Sequence, residues 1–197
     1  ADRYERLALG LRGRHQVENA MVAVHVAEAL RRAGLGIPRA AIAEGLAAAE
    51  WPGRLEMLLG APAVLLDGAH NAAGAAALRA YLDEFCHCPV TLVFGAMEDK
   101  QIAPMAEALF PAARTVVLTR PSTPRAADPS TIAGSLPPAR GGSRPVVTRT
   151  VEEALAWAYR ATPRDGLICV AGSLYLVGEA KACLASRPPF ASAEKRP

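Results

Sequence analysis

The chain has 197 residues, 51% hydrophobic and 21% charged, with a formal net charge of +3. That length suits one domain, or one domain and part of another, with a real core. The near-balanced charge, scattered arginines and sparse aromatics argue against a nucleic-acid groove, and no apolar run reaches the ~18 residues that span a bilayer. Ala1-Asp2-Arg3-Tyr4-Glu5-Arg6 is not a signal peptide. The four cysteines read as reduced thiols, since Cys86 and Cys88 flank His87 without a second pair at zinc-ligand spacing. Both points suggest a cytoplasmic protein. The chain starts without Met, within what reads as an element, which suggests a piece of a longer protein.

In chain order, residues 4–11 read as a short strand, with Leu7, Leu9 and Leu11 alternating with Ala8 and Gly10. A helix follows over 15–32, with Ala20, Met21, Val24, Ala27 and Leu30 at helical spacing and Gly34 and Gly36 stopping it. Pro38 suits the first turn of a second helix carrying Ile42 and Leu46. Trp51-Pro52-Gly53 then separates a helical segment, 1–50, from a strand-rich one, 51–186.

Beyond that boundary, residues 54–59 and 63–67 read as a β-hairpin across Gly60-Ala61-Pro62. Helices over 72–85, 102–109, 128–132, 150–161 and 173–185 alternate with strands over 89–95, 115–119, 146–148 and 166–171. Thr150-x-x-Glu153 is a capping box. Gly141-Gly142-Ser143 reads as a surface loop, and the proline-rich tail over 187–197 reads as disordered. Strands and helices in this rhythm make an α/β, doubly wound, mostly parallel sheet with helices on both faces. Its antiparallel member is the 54–59 strand. Right-handed crossovers bring Asp67, Gly95, Thr119 and Gly172 to one edge, the candidate functional edge.

No G-x-G-x-x-G follows a first strand, and no P-loop of the form G-x-x-x-x-G-K-[S/T] occurs. At the end of the 63–67 strand, Asp67 suits a ribose diol, and His70 and Asn71 suit polar substrate groups. Asp67 and Asn71 equally suit capping of the next helix. His15 and Asn19 share a helix face, which is either a site or a solvated first turn. Arg54 and Glu56, two apart in a strand, point the same way, either toward a phosphate or into a surface salt bridge. Glu98-Asp99-Lys100 lies on the functional edge. Ser173 suits either a carboxylate at a helix N-terminus or an ordinary N-cap.

Five segments in order, HQVENA (His15–Ala20), WPGRLE (Trp51–Glu56), LDGAHN (Leu66–Asn71), VFGAMEDK (Val93–Lys100) and GSLYLVGE (Gly172–Glu179), resemble folylpolyglutamate synthase and the bifunctional dihydrofolate synthase of the Mur ligase superfamily. The resemblance implies a Rossmann-like, six-stranded C-terminal domain with one antiparallel strand, preceded by the α-helical end of an ATPase domain. It implies ATP as cofactor, with Mg2+ held by ligands in an upstream domain. The substrates it implies are folate or dihydropteroate and L-glutamate, and the partner is the chain's own N-terminal ATPase domain, with neither nucleic acid nor membrane. Carried over by motif, Asn19 contacts adenine, Arg54 the phosphates and Asp67 the ribose, while His70 and Ser173 hold the incoming glutamate. The segment alone would be inactive. Two positions depart from the family pattern: Ala72 follows LDGAHN where Pro is usual, and Gln101 ends the segment usually written DKD. A Mur-type peptidoglycan ligase, a cyanophycin-like ligase and a free-standing nucleotide-binding module are the alternatives.

Overall fold

The computed structural model describes residues 4, 6–135 and 144–186. The chain divides into two compact units, Ala1–Pro52 and Gly53–Pro197. The first holds helices α1 (Arg14–Arg32) and α2 (Arg39–Ala47). Gly34, at φ 99, ends α1 in a Schellman arrangement: its amide donates to Arg31 O at 3.0 Å and that of Leu35 to Leu30 O at 3.1 Å. Pro38 is the N-cap of α2 rather than a residue of its first turn.

Among the described residues of the expected strand over 4–11, none is in a strand. Leu7, Leu9 and Leu11 do alternate half-buried with exposed neighbours, but they join no ladder. The Gly10 amide instead donates to Leu46 O, at the end of α2, at 2.9 Å. A Cβ on Gly10 would stand 2.4 Å from Ala49 O, so the helix end occupies the place of a partner strand.

The second unit runs β1 (Glu56–Leu58), β2 (Ala63–Asp67), α3 (Ala72–Phe85), β3 (Val90–Phe94), α4 (Ile102–Leu109), β4 (Thr115–Leu118), α5 (Pro129–Ser135), β5 (Val146–Val147), α6 (Val151–Ala161), β6 (Leu167–Ala171) and α7 (Leu174–Ala185). Its six strands lie in the order β1-β2-β6-β3-β4-β5. β1 pairs antiparallel with β2, and the other pairings are parallel. The expected six-stranded sheet with one antiparallel strand is therefore present. Gly141–Ser143 and the 187–197 tail lie outside the described residues.

Period-2 alternation sorts the strand residues onto two cores. Leu65, Leu92, Phe94, Val116, Leu118 and Cys169 share one with Leu78 and Leu82 of α3, Met105 and Leu109 of α4 and Ile132 of α5. Val64, Leu66, Val93, Val117, Ile168 and Val170 share the other with Leu155 and Ala158 of α6 and Leu176, Ala180 and Leu184 of α7. A fully buried Leu or Phe contributes about 1.5–3 kcal/mol, so β2, β3, β4 and β6 are each anchored from both sides. Three helices on one face and two on the other is the distribution right-handed crossovers give when the chain runs outward from β2 to β5 and returns to β6.

The parallel registers align the strand ends. Asp67 pairs with Ala171, Phe94 with both Ala171 and Leu118, and Leu118 with Val147. Loops following β2, β6, β3, β4 and β5 thus leave one edge together. The junction after β6 is tight. Gly172 has φ 115, and a Cβ there would stand 2.7 Å from Gly95 O and 2.9 Å from the Phe94 ring. Gly172→Ala is therefore expected to lower the unfolding free energy by about 1–3 kcal/mol. Gly178→Ala, within α7 and with open space at its Cβ, is expected to raise it by about 0.4–1 kcal/mol. Urea denaturation of the two variants checks both signs.

Candidate functional site

The edge is built around Asp67, the last residue of β2. Its Oδ2 accepts from the Leu55 amide and its Oδ1 from the Ala69 amide, each at 2.9 Å. The Gly68 amide donates to Gly53 O at 2.6 Å, and the Gly53 amide to Glu56 Oε2 at 2.7 Å. The Leu55–Asp67 and Gly68–Gly53 bonds lock the segment before β1 to the end of β2 and the turn after it, and the other two brace each side. They also hold Leu55 at φ 45, a left-handed conformation costly for a Leu, while its side chain is buried.

That conformation corrects one expectation. β1 begins at Glu56, so Arg54 lies outside the strand and the same-face argument for Arg54 and Glu56 does not apply. Arg54 is exposed. Glu56 forms its ion pair with Lys181 of α7, Nζ to Oε1 at 2.5 Å.

His70 is exposed, with Nδ1 2.8 Å from Gly68 O. A carbonyl only accepts, so Nδ1 carries the proton, and in the neutral ring Nε2 is left as an outward acceptor. Asn71 is the N-cap of α3, its Oδ1 accepting from the Gly74 amide at 2.8 Å. The capping alternative thus describes Asn71. Asp67 instead takes the amides of Leu55 and Ala69, both outside α3. Ser173 is the N-cap of α7, with Oγ accepting from the Tyr175 amide at 3.1 Å, and it is buried. It lies two residues past Ala171, the register partner of Asp67. Asp67, His70 and Ser173 therefore come off the same end of two adjacent strands.

Beyond β3, Asp99 bridges Lys100 and Arg125, at 2.9 Å to each. The Lys100 bond first, then that of Arg125, holds its carboxyl down at about 2. The Ala127 amide donates to Ala96 O and the Glu98 amide to Arg125 O, both at 2.9 Å. The loops after β3 and β4 are thereby zipped together.

A family model described as "Mur ligase, glutamate ligase domain" matches residues 53–174. The chain belongs to that family. A probable bifunctional folylpolyglutamate synthase/dihydropteroate synthase of Halobacterium salinarum is 43% identical over 171 residues, covering 87% of this chain and 20% of that protein. The structure of Mycobacterium tuberculosis folylpolyglutamate synthase complexed with ADP and AMPPCP matches with TM-score 0.81 at 31% identity, over 94% of this chain and 43% of that one. A bifunctional folylpolyglutamate synthase/dihydrofolate synthase with Mn, AMPPNP and L-glutamate bound matches with TM-score 0.70 at 28% identity, over 79% of this chain and 37% of that one. This chain therefore spans less than half the length of each.

Within this Mur ligase domain, the two departures from the family pattern fall at helix starts. Ala72 begins α3 directly after the Asn71 cap, and Gln101 is the N-cap of α4. Sequence reasoning missed Arg125, whose signal would have been its place in the loop after β4. Asn19 belongs to the first unit. It is exposed on α1, its Nδ2 donating to Gln16 Oε1 at 2.9 Å, and Gln16 Nε2 lies 3.1 Å from His15 Nε2. Gln16 is buried, so this helix start is more than a solvated turn. No group of three or more His, Cys, Asp or Glu able to hold a metal occurs among the described residues.

Asp67→Asn would set an amide NH2 against one of the two backbone donors. It is expected to destabilise the chain by about 1–3 kcal/mol, the cost of a buried N–H left without an acceptor. Chemical denaturation of the variant measures this.

Proposed function

We propose that this chain is the C-terminal part of an ATP-dependent ligase that adds L-glutamate to folate, a folylpolyglutamate synthase. The observation that carries the reading is the convergence of Asp67, His70 and Ser173 at paired strand ends, in a chain whose relatives are folylpolyglutamate synthases.

The residues suit a nucleotide. A carboxylate has about four lone-pair sites, and Asp67, fixed by two amides at the end of β2, suits ribose hydroxyls. Exposed Arg54, on the adjoining turn, suits phosphate oxygens, and exposed Asn19 suits adenine. Mg2+ belongs to the same reading, held by ligands in the upstream part of the complete enzyme. ATP supplies the phosphoryl group that turns the folate carboxylate into an acyl phosphate. The glutamate ammonium gives up one proton to solvent to become the amine, whose lone pair attacks the acyl carbon; a second proton is lost as the amide forms and phosphate leaves.

In this reaction the chain positions groups. His70 Nε2, aimed outward by the Nδ1 bond to Gly68 O, accepts from the glutamate ammonium. The Ser173 hydroxyl, at the N-terminus of α7, donates to a glutamate carboxylate, where the helix dipole also favours negative charge. Glutamate and the upstream ATPase domain are the partners of this segment, within a cytoplasmic enzyme.

The isolated chain is expected to hydrolyse no ATP. In the complete enzyme, His70→Ala is expected to raise the KM for glutamate about tenfold or more, as loss of a charge-assisted hydrogen bond does, with the KM for ATP little changed. Steady-state kinetics decides. Unchanged glutamate kinetics would remove His70 from the site, and ATP turnover by the isolated chain would overturn the reading.

A further inference from the structure

Arg54 lies between two residues in left-handed conformations, Gly53 at φ 72 and Leu55 at φ 45. Each of the two has its amide held by a carboxylate. Asp67 Oδ2 accepts from Leu55 at 2.9 Å, and Glu56 Oε2 accepts from Gly53 at 2.7 Å. The backbone on both sides of the Arg54 side chain is therefore pinned, once from the end of β2 and once from the start of β1. Asp67 already belongs to the nucleotide site. Glu56 faces another way, onto α7.

The sheet sets that direction. Glu56 is the register partner of Leu66, so the two side chains stand on the same face. Leu66 packs there in one core with Leu176, Val177 and Ala180 of α7. The Glu56 side chain is 21% exposed, and its Oε1 receives Lys181 Nζ from α7 at 2.5 Å. Val177, one turn before Lys181 on the same helix face, abuts the turn itself: a Cβ on Gly53 would stand 2.9 Å from Val177 Cγ1. A half-exposed ion pair contributes little to stability. Its effect here is geometric, because Lys181 on one oxygen leaves the other held toward the Gly53 amide. The Gly53 carbonyl in turn accepts from the Gly68 amide at 2.6 Å.

We propose that Glu56 is a positioning residue for the ligase: braced by Lys181, it fixes the Gly53 peptide and thereby the direction in which Arg54 meets the nucleotide phosphates. The proposal rests on the ligase reading above and on the place of Arg54 in it. An arginine on a loose turn loses freedom each time it binds a phosphate, whereas one whose flanking amides are both held has lost it beforehand. Where catalysis is mostly positioning, that order is worth rate as well as affinity.

Calorimetric titration of the complete enzyme with ADP tests the arrangement. Glu56→Ala is expected to weaken ADP binding about tenfold, and Arg54→Ala about tenfold or more. In the Arg54→Ala background, Glu56→Ala is expected to add less than about threefold, since the group it positions is gone. Two conservative variants separate holding the amide from pairing with the lysine, and carry the test should the alanine variant not fold. Glu56→Asp keeps a charge that the flexible Lys181 can follow but draws the carboxylate back by about 1.5 Å, so it is expected to lose as much as Glu56→Ala. Glu56→Gln keeps the length and an acceptor oxygen, so it is expected to recover most of that loss. An equal loss with and without Arg54, unchanged ADP binding in Glu56→Ala, or tighter binding by Glu56→Asp than by Glu56→Gln would overturn the proposal. Coupled losses in an enzyme that joins no glutamate to folate would count for the positioning role and against the ligase reading. Glutamate addition with uncoupled losses would do the reverse.

Discussion

One buried carboxylate sets the geometry on which the rest of the edge depends. Asp67 ends β2 and takes the amides of Leu55 and Ala69. A charge in a buried position is tolerated only where donors replace water, and here the donors come from two separate segments. One is the turn before β1, where Leu55 holds a left-handed conformation. The other is the turn into α3, where Gly68 offers its carbonyl to His70 and its amide to Gly53. The turn that carries Arg54 is tied to that acid, and the His70 ring is set by Gly68 O in the adjoining turn. The strain at Leu55 persists because its side chain is packed in the core while its amide is held by Asp67.

The parallel register does the remaining work of assembly. It lines up loops far apart in sequence, so polar groups appear along the edge in the spatial order Asp67 and His70, Ser173, Asp99 and Lys100, Arg120, Arg149. Open α/β sheets hold ligands outside the carboxyl ends of their strands. Here those ends are tightly packed: a Cβ on Gly95 would meet Thr119 O at 2.5 Å, and one on Gly172 would meet Gly95 O at 2.7 Å. Three central loops therefore leave the sheet with almost no slack, which suits a site whose contribution is positioning.

The helices over 72–85 and 102–109 and the buried strands were legible because apolar period and punctuation agree there. Three features were not legible, each for a definable reason. Leu7, Leu9 and Leu11 alternate like a strand, but alternation reports which side chains face inward and says nothing of a hydrogen-bonding neighbour. Arg54 and Glu56 were paired by a period that fails once Leu55 takes a positive φ, and no local pattern marks a Leu for that. The Glu56–Lys181 and Asp99–Arg125 pairs join residues distant in sequence, so they exist only once the sheet is assembled. The fold class and the edge came from patterning. The particular roles of Asn19, Arg54, Asp67, His70 and Ser173 came from motif resemblance, because each residue taken alone had an equally good structural explanation.

Those structural explanations and the functional ones are not exclusive. Ser173 Oγ spends a lone pair on the Tyr175 amide, yet its proton is still available, which suits a carboxylate. His70 spends its Nδ1 proton on Gly68 O, and that bond leaves Nε2 as an acceptor, which suits an ammonium. Asp67 spends lone pairs on two amides, and a carboxylate has about four such sites. In each case the internal bond fixes the side chain before a ligand arrives, lowering the entropy lost on binding. The hydrogen-bonding capacity left over then sets the ligand polarity each residue accepts. A residue that caps or clamps its own backbone on this edge is therefore a better binding group than one free in solvent, and a capping contact there is no argument against a site.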